Sequence, residues 1–306
     1  MAKSTSTAAG VIDAHRDAGR TFTAGGIQSF LRAEGDGEPV VCIHGMLGSS
    51  FGYRKLIGEL ATRGLRGIAW DLPGFGLADR PRQYDYSWTS LGRFCVAAVN
   101  ALSIDRFHLV VHDIGGPVGF ELAAACPERV LSLTILNTVV DVAGWTPPWT
   151  MRPFRWPVIG GLWAEGMVPP AFRFLMKLQG IGDLSQVSQA DLGAYLTLMK
   201  GDDRGRAFRK VSRSAETIAG KQELYRRVAG SQSYPVQVVW AAQDPAMPAG
   251  TYGEKARAAA GLAVIDRIPG KHFPQEDQAP AIAARVAAIA LAAKNNRDLR
   301  SASPGT

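Results

Sequence analysis

The chain has 306 residues, of which 46% are hydrophobic and 20% charged, enough to bury a large core as one domain or as a domain with an insertion. It contains no apolar run of membrane-spanning length and no signal-like opening, so we expect a cytoplasmic protein without a membrane partner. The net charge of +7 is spread over scattered basic residues with no nucleic-acid motif, which argues against a nucleic-acid partner.

Short apolar segments alternate with longer helical patterns along the chain. This alternation is typical of an α/β fold, in which helices cover both faces of a mainly parallel sheet. We predict strands at 27–34, 40–44, 67–71, 107–112, 131–137, 236–241 and 263–268, and helices near 50–63, 88–102, 116–126, 251–260 and 279–293.

The alternation stops after Asn137. Over the next ninety or so residues the pattern is helical, after a Pro- and Trp-rich entry, "WTPPWTMRPFRWPVIGGLW". A connection of that length is rarely structureless, so we predict an inserted helical cap over 139–230 and a core formed by 21–138 and 231–294. We expect a flexible N-terminus over 1–20 and a disordered tail over 295–306.

The segment "VVHDIGGPVG", residues 110–119, runs from a predicted strand directly into glycines. A strand followed by a nucleophile, one residue and Gly at the mouth of a helix is a nucleophile elbow, a tight turn that projects one side chain above the sheet. That side chain is Asp113. Gly115 and Gly116 suit the pattern, whereas Val111 departs from it, because a Gly is usual two positions before the nucleophile.

A base and a second carboxylate are expected after the nucleophile, each on a loop that follows a strand. His272 follows the last predicted strand, and Asp244 follows the one before it. Asp141, just beyond the strand that ends at Asn137, is an alternative acid. We predict the set Asp113, His272 and Asp244. The three cysteines have no metal-ligand spacing, so we expect reduced thiols, no metal site and no cofactor.

At this point the chain resembles the α/β-hydrolase superfamily over roughly residues 20–293. The segments "HDIGGPVGFELAAACPERV" and "GKHFPQEDQ" look like the haloalkane dehalogenase and epoxide hydrolase branches, "IHGMLGSS" like the oxyanion loop and "DLPGFGLADRP" like the Gly-rich segment of the family. The resemblance implies an oxyanion hole formed by the backbone N–H groups of Met46 and Ile114. It also implies a small apolar organic substrate and water as partners.

An aspartate at the elbow points to attack on a saturated carbon. Attack on an ester or amide carbonyl would give a reactive anhydride, whereas attack on an sp3 carbon gives an ester that water can hydrolyse in a second step. We therefore expect a hydrolase that works through an aspartyl alkyl-enzyme ester. A small-molecule receptor or a non-hydrolytic biosynthetic enzyme on the same fold is the alternative of a different class.

The leaving group is harder to predict. Similar dehalogenases hold a halide with side-chain N–H donors at positions where this chain has Ile114 and Met46, which offer none. The lid tryptophans are candidate donors, although each is also suited to packing. They are Trp145, Trp149, Trp156 and Trp163.

Similar epoxide hydrolases protonate the opening ring with lid tyrosines. The segment "AYLTLMKGDDRGRAF" resembles one that carries such a residue, which makes Tyr195 a candidate acid. Tyr195 could equally be a packing residue of an amphipathic helix. A second tyrosine is not evident, and Leu47 replaces the Pro usual after His-Gly. The sequence favours an epoxide hydrolase, with haloalkane dehalogenase as the alternative.

Overall fold

The computed structural model describes residues 7–157 and 159–302. One eight-stranded sheet forms the centre, in the order β1-β2-β4-β3-β5-β6-β7-β8. β2 pairs antiparallel with both β1 and β4, and all other neighbouring strands pair parallel, which confirms the predicted fold class. The strands are β1 (Arg20–Ala24), β2 (Ile27–Glu34), β3 (Glu38–Ile43), β4 (Leu65–Trp70), β5 (Phe107–Asp113), β6 (Val130–Thr138), β7 (Val236–Ala241) and β8 (Asp266–Ile268).

Helices cover both faces of this sheet. Among the described residues, five of them, α5 to α9, lie between β6 and β7, in the segment predicted to form the cap. The helices are α1 (Ala8–Asp17), α2 (Arg54–Ala61), α3 (Trp88–Ala101), α4 (Gly115–Ala125), α5 (Ile159–Gly166), α6 (Pro169–Leu175), α7 (Gln189–Lys200), α8 (Arg206–Arg213), α9 (Ala219–Ala229), α10 (Glu254–Ala259) and α11 (Ala279–Ala302).

Both predicted flexible ends were wrong where the structure describes them. Residues 8–17 form α1, which Thr7 caps by accepting a hydrogen bond from the backbone of Gly10, and α1 packs against cap helix α7. At the other end α11 continues to Ala302, and Arg297 on it pairs with Glu38 at the start of β3. Polar composition led to the wrong expectation, because these helices are held by contacts distant in sequence. Residues 1–6 and 303–306 lie outside the described part.

The candidate active-site residues follow strands that end at one edge of the sheet. Every residue of β5 and β6 is buried, which explains their continuous apolar runs. Because β3, β5, β6, β7 and β8 are parallel, their carboxyl ends lie at the same edge of the sheet, where ligands bind in open α/β sheets. The loops after these strands carry the candidate residues. β8 is shorter than predicted and covers only the end of 263–268.

Candidate active site

Asp113 lies in a strained turn between β5 and α4. Its φ of +53° is in the left-handed region, which a residue with a side chain rarely occupies unless the surrounding structure imposes it. A Cβ at Gly45 would lie 2.3 Å from the Cβ of Asp113, so the neighbouring loop needs glycine there. The bulk of Val111, the departure from the elbow pattern, is accommodated by Gly119, where a Cβ would lie 2.3 Å from its Cγ1.

The two carboxylate oxygens of Asp113 have different partners. Oδ1 accepts a hydrogen bond of 2.6 Å from the backbone N–H of Met46, and the backbone N–H of Ile114 also bonds to the carboxylate. Oδ2 lies 3.1 Å from Nε2 of His272. The backbone N–H of Met46 thus lies at one oxygen, and the other oxygen faces the imidazole.

His272 bridges the two aspartates. Its Nδ1 lies 2.8 Å from Oδ2 of Asp244. The other oxygen of Asp244 accepts the backbone N–H groups of Ala246 at 2.8 Å and Met247 at 2.9 Å. These bonds fix the carboxylate so that it orients the imidazole, which in turn faces Asp113.

Two polar residues that hold this arrangement were missed in the sequence. Asn137, at the end of β6, donates from its side-chain amide to Oδ2 of Asp244 at 2.7 Å and accepts from the backbone N–H of Ala241 at 2.9 Å. His112 lies with Nε2 2.6 Å from the carbonyl oxygen of His272. Each lies at the end of a strand, but its partner is more than 100 residues away, so local pattern gave no signal.

A third missed residue, His44, fixes the oxyanion loop. Its Nε2 accepts the backbone N–H of Leu72 at 3.0 Å, and its Nδ1 lies 3.0 Å from the carbonyl oxygen of Gly45. Burial lowers the pKa of His44 to about 4, so the ring is neutral and Nδ1–H is the donor. Its place in the quoted "IHG" segment was a usable signal.

The triad stabilises its own charges. Burial lowers the pKa of His272, but the charge of Asp244 and the hydrogen bonds from both aspartates overcome that effect and raise the pKa to about 10. For Asp113 and Asp244, burial raises the pKa, yet the partnership with His272 leaves both below the ordinary carboxyl value. At neutral pH the free site therefore holds an imidazolium between two carboxylates.

The alternative acid, Asp141, has a different partner. Its carboxylate pairs with the guanidinium of Arg226 through two bonds of 2.6 and 2.7 Å. It makes no hydrogen bond to His272 in the part of the chain that the structure describes. Of the two carboxylates considered from the sequence, Asp244 is the one that contacts the imidazole.

Comparison with known proteins gives the same fold. A profile of the alpha/beta hydrolase fold matches residues 38–166. A haloalkane dehalogenase from Mycolicibacterium paratuberculosis is 29% identical over 275 residues, 82% of this chain and 83% of that protein. The crystal structure of an epoxide hydrolase from Vigna radiata matches with a TM-score of 0.70 and 19% identity, over 88% of this chain and 95% of that one. The chain thus has the alpha/beta hydrolase fold.

A more similar but shorter match involves a different named activity. The cis-3-alkyl-4-alkyloxetan-2-one decarboxylase of Shewanella oneidensis is 42% identical over 108 residues, 34% of this chain and 34% of that protein. That alignment spans about a third of the relative's length. The proteins similar to this chain thus carry several named activities, and the polar groups around Asp113 are the basis for choosing among them.

A cleft lies between the sheet and the segment that connects β6 to β7, with about 770 Å³ of empty space when the solvent at its mouth is included. Asp113 and His272 are the titratable side chains that line it, within the described residues. Its other polar lining side chains are Trp88, Trp145, Thr150, Gln179 and Ser212. The rest of the wall is mostly apolar, which suits a small apolar substrate.

The four lid tryptophans lie in different environments. Trp145 lines the cleft, and its buried indole N–H has no hydrogen-bond partner among the described residues. Trp149, Trp156 and Trp163 are about half to two-thirds exposed and are not among the lining residues. Only Trp145 therefore remains in a position suited to the predicted leaving-group contact.

Tyr195 lies away from the cleft. Its ring is buried, and its hydroxyl donates to Oε1 of Glu276 at 2.5 Å. Glu276 is also the partner of Arg54 and of Lys55. No tyrosine occurs among the described lining residues. The hydroxyl of Tyr195 thus links helix α7 to the loop after His272. Its position outside the cleft does not suit the predicted ring-opening role.

The described residues contain neither a metal-binding cluster nor a membrane-spanning helix. Within 7–157 and 159–302, no group of three or more His, Cys, Asp or Glu side chains is arranged to hold a metal ion. In the same part of the chain, no helix combines the length and the apolar character needed to cross a bilayer.

Proposed function

We propose that this protein hydrolyses a small apolar substrate at a saturated carbon through an ester on Asp113, and that its leaving group departs as a stable anion, as from a haloalkane. The observation that carries the proposal is that the backbone N–H of Met46 donates to Oδ1 of Asp113 while Oδ2 faces the imidazole of His272. A carboxylate already seated in an oxyanion hole is prepared to become an ester and then a tetrahedral intermediate.

In the first half-reaction, Oδ2 of Asp113 attacks the substrate carbon and the carbon–leaving-group bond breaks with its electron pair. The low pKa of Asp113 keeps the nucleophile ionised. Esterification removes the negative charge of Asp113, which had helped to hold the proton on His272. The pKa of His272 then falls, and the proton passes to solvent.

In the second half-reaction, neutral His272 takes a proton from water at Nε2 while the water oxygen attacks the carbonyl carbon of the ester. Negative charge develops on Oδ1, between the backbone N–H groups of Met46 and Ile114. Collapse releases the alcohol, which takes the proton from His272, and leaves Asp113 as a carboxylic acid. The acid proton then passes to Nε2 of His272, which restores the carboxylate and the imidazolium of the free site. Loss of one such oxyanion donor typically raises a barrier by about 3 kcal/mol.

The donors in the cleft suit an anion that needs no proton. The hydroxyl of Thr150 donates to Oε1 of Gln179 at 2.7 Å, which leaves the amide NH2 of Gln179 as a donor. The indole N–H of Trp145 is likewise unpaired among the described residues. Neither group is acidic, so both can stabilise a halide but neither can protonate an alkoxide.

An epoxide hydrolase is the second candidate, supported by one observation. The pKa of about 10 for His272 makes an imidazolium available in the free protein, and this proton could reach an opening epoxide ring without Tyr195. The imidazolium lies beside Asp113, whereas the leaving oxygen departs on the opposite side of the attacked carbon. We therefore rank the haloalkane first.

Incubation with matched bromoalkanes, chloroalkanes and terminal epoxides, alongside a cis-3-alkyl-4-alkyloxetan-2-one, tests the ranking. Halide release with alcohol formation supports the first candidate, and diol formation without halide supports the second. Asp113→Asn should be inactive on every substrate that the natural protein turns over. Tight binding without turnover of any compound would favour the receptor function instead.

A further inference from the structure

The cap exposes large apolar side chains to solvent in one stretch of sequence. Helix α5 exposes Ile159, Leu162 and Trp163, and the helix that follows it, with its π-helical end at Met176–Gly180, exposes Phe174 and Leu178. Leu162 is 69% and Phe174 67% exposed. With Val168 between the two helices, these residues are called here the cap apolar surface. Scattered single apolar residues are normal on proteins, but a concentration of this kind marks an interaction site.

Helical spacing explains the pattern. Ile159, Leu162 and Trp163 are three and four positions apart, so they share one face of α5, and the buried Gly160 and Ala164 lie on another. Phe174 and Leu178 are also four apart, whereas Met176 between them is buried and lines the cleft. The same segment thus forms the cleft wall on one side and an apolar surface on the other.

Unpaired positive charge accompanies the apolar residues. Residues 149–178 contain four basic side chains and one acidic one, a net charge of +3. Arg173 and Lys177 lie one position before Phe174 and Leu178, and both are exposed. Neither they nor Arg152 and Arg155 pair with a carboxylate among the described residues. Two further tryptophans, Trp149 and Trp156, are exposed within the same segment.

We propose that the cap apolar surface docks on the anionic surface of a lipid bilayer. Apolar and tryptophan side chains flanked by Lys and Arg are the features that hold amphipathic helices in the interface of such membranes. The composition gave no reason to expect this, because which of these side chains stay exposed depends on how the segment folds. A second copy of the chain fits less well, since an isologous dimer would bring the same net positive charge against itself.

Docking through the cap apolar surface would give the cleft a source of apolar substrate. Pro147, Pro148 and Leu175 line the cleft and adjoin exposed Trp149 and Phe174 in sequence. A compound dissolved in the bilayer would therefore meet the protein at the wall that separates lipid from Asp113. The lipid contact is independent of the reaction, so it stands or falls separately from the proposed function.

Vesicle co-sedimentation tests the proposal with the full chain. We expect binding to vesicles of equal parts phosphatidylcholine and phosphatidylglycerol, weaker binding to phosphatidylcholine alone, and release as NaCl rises from about 0.05 M to about 0.5 M. The double variant Leu162→Gln/Phe174→Gln should bind at least about tenfold more weakly. The matched control is Val264→Gln/Leu291→Gln, at positions outside the cap that are 72% and 60% exposed. It should bind like the natural protein.

Charge variants provide a second arm. Arg173→Gln/Lys177→Gln should weaken binding to the anionic vesicles about thirtyfold, whereas Lys255→Gln/Lys294→Gln, which removes the same charge from the core, should have little effect. Circular dichroism checks that each variant is folded. Equal loss in cap and core variants, or no binding to anionic vesicles, would overturn the proposal. So would sedimentation velocity showing a lipid-free dimer that the cap variants convert to monomers.

Discussion

Replacing Asp244 by Asn should stop ester hydrolysis while leaving ester formation largely intact. Oδ1 of Asp244 accepts two backbone N–H groups, at 2.8 and 2.9 Å. The introduced carboxamide should keep its oxygen there, because two backbone N–H donors cannot reverse, whereas the imidazole at the Oδ2 position can change its tautomer, even though Asn137 also donates to that position. The NH2 group then takes the place of Oδ2 and points at Nδ1 of His272.

The imidazole must respond by accepting at Nδ1, which puts its proton on Nε2. A ring in that tautomer cannot take a proton from water at Nε2, the atom that faces Asp113. The corresponding Asp-to-Asn change in the serine-protease triad lowers kcat roughly ten-thousand-fold for this reason. We expect a loss of ester hydrolysis on the order of a thousand- to ten-thousand-fold, with a much smaller effect on attack by Asp113.

Rapid-quench mass spectrometry of the intact protein measures the two steps separately. Asp244→Asn should accumulate the ester, whereas the natural protein should show it transiently. Asp141→Asn is the matched control, since it breaks only the pair with Arg226 and should change either rate by less than about tenfold. Hydrolysis by Asp244→Asn within about tenfold of the natural rate, or a loss confined to Asp141→Asn, would refute the assignment.

Three further outcomes are expected. The single-turnover rate of ester hydrolysis should rise with pH, with a midpoint below pH 10. This step needs neutral His272, whose pKa of about 10 falls once Asp113 is esterified. A rate that declines with rising pH would contradict this. Glu276→Gln should lower the free energy of unfolding in urea by about 3 kcal/mol, since it leaves the partly buried Arg54 and Lys55 without their shared buried carboxylate. Glu59→Gln, in a partly exposed pair, should lower it by less than about 1 kcal/mol. Similar losses in the two variants would count against a stabilising network. Gln179→Met should slow ester formation from a bromoalkane about ten- to a hundredfold without slowing ester hydrolysis; an equal effect on both steps would show that Gln179 does not act on the leaving group.

Features set by neighbouring residues could be predicted well from the sequence. The strands at 27–34 and 236–241 agree with the structure, because both are short segments with apolar and β-branched residues that lie between turn-forming residues. The elbow at Asp113 and the chain order of His272 and Asp244 were equally visible. The carboxyl ends of parallel strands lie at the same edge of a sheet, whatever structure the cap adopts.

Features that depend on distant contacts could not be predicted in this way. Helix α1 is stabilised by packing on α7, and nothing in its own polar sequence indicates that partner. Tyr195 does lie in a helix, but the direction of its side chain is set by Glu276, 81 positions later. Gln179 becomes a lining residue only because a π-helical turn places it beside Thr150 and the loop of His272.

The most direct measurement of the central claim is the mass of His272→Phe protein after exposure to a substrate that the natural protein turns over. Without the base, the Asp113 ester should persist, and peptide mapping should find the added alkyl group on the peptide that contains Asp113. An unmodified Asp113 peptide, under conditions in which the natural protein releases product, would contradict the covalent mechanism.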